Sequence, residues 1–200
     1  MRVVWVRLAA AVTLGLLAAA AVADDLSGPV SFVPWKVLIP GDVHAGAPLT
    51  LFWVPASPDD FKHSELLFSR PLTSFAGQCV AMNVIRADDA SMIAKLGVAG
   101  ALPVVVLIDG DGKQLGKVAN ERGALRVNAV EKLVRDQLRV CEADLDARLE
   151  DARRKVAAGD RDAAVVTYKA VWGLRCLAPR RARAAQRELK KLGIQVAEAQ

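Results

Sequence analysis

The sequence predicts an α/β domain followed by a helical tail. Three short apolar runs, Leu49–Val54, Cys79–Ile85 and Val104–Ile108, have the length of buried strands and alternate with segments of helical character. Asp109-Gly110-Asp111-Gly112 is a turn that returns the chain as a hairpin. Residues 142–200 are helical in pattern. The expected order is β-α-β-α-β-β-α in three layers, with a C-terminal helical hairpin or three-helix appendage. Buried strands joined through a helix imply a parallel pair, and the hairpin adds an antiparallel edge.

Residues 1–23 read as a secretory signal peptide. Arg2 and Arg7 precede an apolar stretch, Leu8–Val22, and Ala21-Val22-Ala23 is a small-x-small cleavage pattern before Asp24-Asp25. The apolar stretch is about 15 residues, short of the roughly 20 that span a bilayer. No Cys follows it, which speaks against a lipoprotein. Export is expected, to a bacterial periplasm or to the medium, with no integral membrane span after cleavage.

Residues 24–46 are a lead-in punctuated by Gly28, Pro29, Pro34, Pro40, Gly41 and Gly46, with room for a short strand at Phe32–Ile39. After the first long strand, Pro58, Asp59 and Asp60 start a helix. Proline suits a first turn, and acids complement the N-terminal dipole. Phe61, Leu66, Leu67 and Phe68 give this helix its apolar stripe, and Pro71 ends or kinks it. Asp88–Leu96 is a short helix stopped by Gly97. Gln114–Val118 is the hairpin partner of Val104–Ile108. Leu125–Val140 is the last helix of the domain. The tail divides into helices at Leu145–Ala158, Arg161–Leu174 and Arg180–Leu192, with Gly159-Asp160 as a break.

The chain carries a formal +5. Residues 142–200 hold 13 Lys and Arg against 9 Asp and Glu, so the basic excess lies in the tail. Its main carriers are Arg175, Arg180, Arg181, Arg183, Arg187, Lys190 and Lys191. Nucleic acid is not expected as a partner, because no aromatics are interleaved for stacking. A solvated basic face and contact with an anionic surface both stay open. No two of Cys79, Cys141 and Cys176 share a CxxC or metal-type spacing, and His44 and His63 are the only imidazoles. No metal and no cofactor is expected.

The stretch from Asp88 through Gly97-Val98 and Leu102-Pro103-Val104 to Gly112 resembles the corresponding segment of a thioredoxin-fold domain. It has an acidic turn, a short helix, Gly-Val, a proline opening a strand, and a Gly turn. Phe52-Trp53-Val54-Pro55-Ala56 is similar to the aromatic strand end before that family's redox motif. Residues 47–141 are thus identified as thioredoxin-like. The departure is at the redox positions. Where the family's enzymes carry two cysteines at the start of the first helix, this chain has Ser57 and Asp60. Leu51 stands where those enzymes often keep a buried carboxylate. Neither thiolate attack nor its proton transfer has its residues, so redox turnover is not expected. Ser57 reads as a helix cap. As a nucleophile it lacks a base, for His63 lies about 240° round the helix.

The resemblance implies a cis Leu102–Pro103 bond beside the active turn. Either Pro103 only shapes the start of its strand, or it leaves the preceding backbone free to pair with an extended peptide. The binding candidates are Trp53, Ser57, Leu102 and Pro103. Ala157-Ala158-Gly159-Asp160 through Tyr168 is similar to the turn and second helix of a tetratricopeptide repeat. One unit does not make a solenoid, so the pair is expected to pack on the domain or on a partner. Cys141 and Cys176 are the expected disulfide, if any forms, closing a loop of about 35 residues if the tail folds back. Cys79 is then the odd thiol. Two functions remain open: an exported, redox-inactive module that binds protein or extended peptide, and an atypical thiol-disulfide enzyme using Cys79, Cys141 or Cys176.

Overall fold

The computed structural model describes residues 30–39, 46–120 and 123–196. The expected signal peptide lies outside them. A five-stranded mixed sheet is covered by helices, and three helices form the C-terminal region. The strands are β1 (Lys36–Val37), β2 (Leu49–Val54), β3 (Val80–Val84), β4 (Val104–Asp109) and β5 (Gln114–Ala119). Their spatial order is β1-β3-β2-β4-β5. β1 and β2 run parallel to β3, β4 runs antiparallel to β2, and β5 antiparallel to β4.

All six residues of β2 are buried, as a central strand covered on both faces requires. Their side chains alternate. Leu49, Leu51 and Trp53 join one core with Leu66, Leu67 and Leu72 and with Val130, Val134 and Leu138. Phe52 and Val54 join a second core on the other face, with Ile85, Val98 and Val106.

The helix expected after Ser57 is three short pieces: α1 (Pro58–His63), a 3-10 turn (Glu65–Phe68) and α2 (Arg70–Ala76). A serine starts each. The hydroxyls of Ser57, Ser64 and Ser69 accept from the backbone N–H of Asp60, Leu66 and Leu72 at 3.1, 3.3 and 3.1 Å. Pro71 therefore opens a helix rather than ending one, at a position where its missing N–H costs nothing. In α3 (Ala90–Lys95) the Asp89 carboxylate caps Met92 N–H at 3.0 Å.

The larger departure is α4, a single helix over Val127–Ala157. It runs through residues 141–144, where two helices were expected to meet. That stretch is Cys-Glu-Ala-Asp, with no Gly or Pro to stop a helix. One apolar stripe also continues across it: Val130, Val134 and Leu138 face the sheet, and Leu145, Leu149 and Ala152 face α5 (Arg161–Gly173) and α6 (Pro179–Lys191). Arg181 of α6 ties back to α4, its Nε and Nη2 donating to the two Asp146 carboxylate oxygens at 3.1 and 3.0 Å.

The cysteine pairing also differs from expectation. Cys79 and Cys176 form the disulfide, with Cα atoms 5.7 Å apart, and Cys141 is free. Cys141 was expected at a helix end, where a returning loop could arrive. Because α4 continues past it, it sits mid-helix, packed against the sheet-side core. Cys79 lies just before β3 in the turn that leaves α2, with φ of 58°. The loop between α5 and α6 reaches this turn, and Leu177 beside Cys176 is buried in the sheet-side core.

Two outcomes are expected. Ala143→Pro, at an exposed position of α4, should cost about 3 kcal/mol or more in urea unfolding; a near-neutral effect would mean a helix break there. Non-reducing peptide mapping should recover Cys79 joined to Cys176. The double replacement Cys79→Ser, Cys176→Ser should lower stability by roughly 2–5 kcal/mol, since the bond spans a long loop.

Candidate functional site

The site candidates converge on one end of the central strand pair. In the β2–β4 register Val54 pairs with Val104. The turn at 55–57 and Pro103 therefore leave the sheet at the same end. The Leu102–Pro103 bond is cis.

Ser57 has extended backbone, φ −155° and ψ 167°, and its hydroxyl accepts from Asp60 N–H. The Asp60 carboxylate reaches back and accepts from Ala56 N–H at 2.9 Å. This arrangement satisfies one donor that the helix start leaves unpaired, the Asp60 N–H, and one just before the helix, the Ala56 N–H. The Ser57 and Asp60 side chains thus close the turn. His63 Nδ1 lies 2.9 Å from the Asp59 carbonyl, a contact that requires the Nδ1–H tautomer. It is engaged with its own helix backbone.

Trp53 was a groove candidate but is fully buried, beneath the turn. Its ring packs between Trp35 and Phe61, with centroids 5.3 Å from each. Its indole N–H has no acceptor among the described residues. An alternating strand that buries both faces leaves such a residue no route to the surface. Trp35 was missed; its own Nε1–H donates to the Leu66 carbonyl at 3.3 Å. The available signal was an aromatic pair, Phe32 and Trp35, inside a segment read as lead-in.

Pro103 is buried and Leu102 is half-buried. The backbone before Pro103 is not wholly free. Asn120 Nδ2 donates to the Leu102 carbonyl at 2.7 Å and lies 3.3 Å from that of Ala101. Asn120 directly follows β5, and nothing in its sequence context marks it. Among Trp53, Ser57, Leu102 and Pro103, the structure brings Ser57, Leu102 and Pro103 to one end of the sheet and puts Trp53 below them.

Burial pushes the Cys141 thiol above its ordinary pKa, and the Asp144 and Asp109 carboxylates act in the same direction against a hydrogen bond from Gln137. The thiol is protonated at neutral pH, a poor nucleophile. Among the described residues, no group of three or more His, Cys, Asp or Glu could hold a metal ion. No helix among them is long and apolar enough to cross a membrane.

Two other surface features stand out. Phe32, 64% exposed, meets Phe68 edge to face at 5.6 Å, with exposed Val30 nearby in sequence. A hollow of about 160 Å³ between the tail helices is lined by Arg153, Val156, Tyr168, Glu188, Lys191 and Leu192. It is smaller than ordinary small-molecule pockets, and the Lys191–Glu188 ion pair occupies its rim at 3.0 Å.

No protein-family model matches this sequence, and no curated protein matches it.

Ser57→Ala should lower stability by about 1 kcal/mol, whereas Ser57→Asp, another good cap, should retain it. Urea unfolding of the two variants checks this. Equal losses would mean that the hydroxyl contributes something other than the cap.

Proposed function

We propose that residues 47–141 are a thioredoxin-like domain that has lost redox turnover and serves as a binding module for protein or extended peptide. The observation that carries the reading is the Ser57–Asp60 cap: both redox positions are occupied by side chains that hold the turn and cannot exchange electrons. The parallel β2–β3 unit, the antiparallel β4–β5 hairpin and the helices on both faces support the fold. The helical tail, whose α4–α5 pair resembles a single tetratricopeptide unit, is a second interaction surface.

We further propose export to an oxidising compartment, the bacterial periplasm in the first instance. The Cys79–Cys176 disulfide supports this, because such bonds persist where thiols are not kept reduced. The exposed position of Cys176 favours one rival, an atypical thiol-disulfide enzyme exchanging through this bond. The raised pKa of Cys141 counts against that thiol as its attacking group.

Insulin reduction with dithiothreitol separates the two. The wild-type chain should give the uncatalysed rate, and the double variant Ser57→Cys, Asp60→Cys should gain turnover. Wild-type turnover near that of a dithiol enzyme would establish the rival. Peptide binding has its own test. Strand addition at Leu102 must share or displace the Asn120 amide, so Asn120→Ala should tighten binding of an extended model peptide, read by calorimetry. Unchanged affinity in a folded variant would remove Leu102 from the binding site.

A further inference from the structure

Two rows of basic residues on the C-terminal helices contrast. Along α4, Arg139, Arg148, Arg153 and Arg154 pair with Asp136, Asp144, Glu150 and Asp151, each three or four residues earlier. Those pairs neutralise their own helix face. On α6, Arg180, Arg187 and Lys190 make no ion pair among the described residues, and Arg183 donates only to the Pro179 carbonyl at 3.3 Å.

These four residues are all exposed. Their spacing of three, four and three keeps them within an arc of about 80° and along about 15 Å of helix. The opposite side of α6 is spent on the core, where Ala182, Ala185 and Leu189 are buried. The row also opposes the helix's own needs. α6 has no side-chain cap and no acid in its first turn, so Arg180 meets the positive end of the helix dipole. Arg181 is compensated by Asp146 and by Glu142 at 3.3 Å. Arg180 has no such compensation.

The chemistry narrows the partner. No residue of α6 is an exposed large hydrophobic. A specific protein interface centres on buried aromatic or aliphatic anchors, which this row lacks. Single-stranded nucleic acid needs stacking aromatics, also lacking. An anionic bilayer surface needs only unpaired cations within a Debye length of its headgroups. We infer that Arg180, Arg183, Arg187 and Lys190 form a docking face for an anionic phospholipid surface. Contact is peripheral, because the apolar residues of α6 are committed inward. The inference rests on the geometry of α6 and stands apart from the peptide-binding reading.

The test is sedimentation of the full chain with vesicles of phosphatidylcholine alone and with added phosphatidylglycerol. The apolar Leu8–Val22 stretch serves both vesicle types, so the readout is the excess binding to the anionic ones. That excess should fall steeply with salt and by on the order of fivefold for each charge removed. The variant Arg180→Gln, Arg183→Gln, Arg187→Gln, Lys190→Gln should abolish it. A control variant with Arg139, Arg148, Arg153 and Arg154 each changed to Gln should keep it, although both variants lower the formal net charge of +5 by four. Circular dichroism and an intact Cys79–Cys176 bond check that both variants fold. No excess in the wild type, or equal losses in the two folded variants, would overturn the assignment. So would tighter binding to duplex DNA or polyglutamate at the same ionic strength.

Discussion

The apolar stripe of α4 is the interaction on which both halves of the protein depend. Val130, Val134 and Leu138 seat the helix against the sheet, and Leu145, Leu149 and Ala152 give α5 and α6 their core. Burying each such Val or Leu is worth roughly 1.5–3 kcal/mol. Because one rigid helix of about 46 Å carries both sets, the tail has no hinge at its junction with the sheet. The loop between α5 and α6 is braced as well. Leu177 enters the sheet-side core, and Cys176 beside it is bonded to Cys79. A helical appendage tied to the sheet through α4 and through the α5–α6 loop becomes part of the same folded unit. A surface carried on α6 is thereby held at a fixed angle to the sheet.

The turn after β2 is closed by its own side chains. The start of a short helix has unpaired N–H groups whatever residues stand there. Two thiols would leave those donors to stabilise a thiolate. Here Ser57 satisfies one of them, the Asp60 N–H, and the Asp60 carboxylate takes the Ala56 N–H just before the helix. Ser57 and Asp60 carry no thiol, and the Ser57 oxygen already occupies the Asp60 N–H at the helix start. Beneath the turn, Trp35, Trp53 and Phe61 form an aromatic wedge. The Asn120 amide secures the neighbouring carbonyl of Leu102. The end of the sheet is thus stiff and already hydrogen-bonded.

Most of the sheet was legible because its central runs are mostly apolar and the β4–β5 turn is marked by Gly110 and Gly112. The boundaries of β2, β4 and β5 lie within a residue of those read from pattern. The errors have particular causes. Pro71 is as good at opening a helix as at ending one, and only Ser69, two residues before it, discriminates. The stripe of α4 keeps its spacing across Cys141–Asp144, but a pattern read in two windows hides that continuity. The disulfide was illegible for a different reason. Three cysteines allow three pairings, and which pair meets depends on where the α5–α6 loop lands. Of the site, Ser57 as a cap followed from residue type alone. The burial of Trp53 could have been inferred from the two-sided strand it sits in. Asn120 could not, since its role comes from a tertiary contact 18 residues away in sequence.

The lead-in belongs to this same packing problem. Ser31 Oγ donates to the Leu67 carbonyl at 2.8 Å, and the backbone N–H groups of Phe32 and Val33 reach that same oxygen at 2.9 and 3.2 Å. Val33 is buried in the sheet-side core, and Trp35 covers Trp53. β1 then adds only two paired residues at the sheet edge. So the segment is held chiefly by side chains docked on the 3-10 turn, with strand pairing secondary. That explains why its aromatic residues divide as they do. Trp35 turns inward to close the wedge. Phe32, on the other side of the anchored backbone, is left exposed against Phe68. An exposed pair of this kind follows from how the lead-in is anchored and needs no partner to account for it.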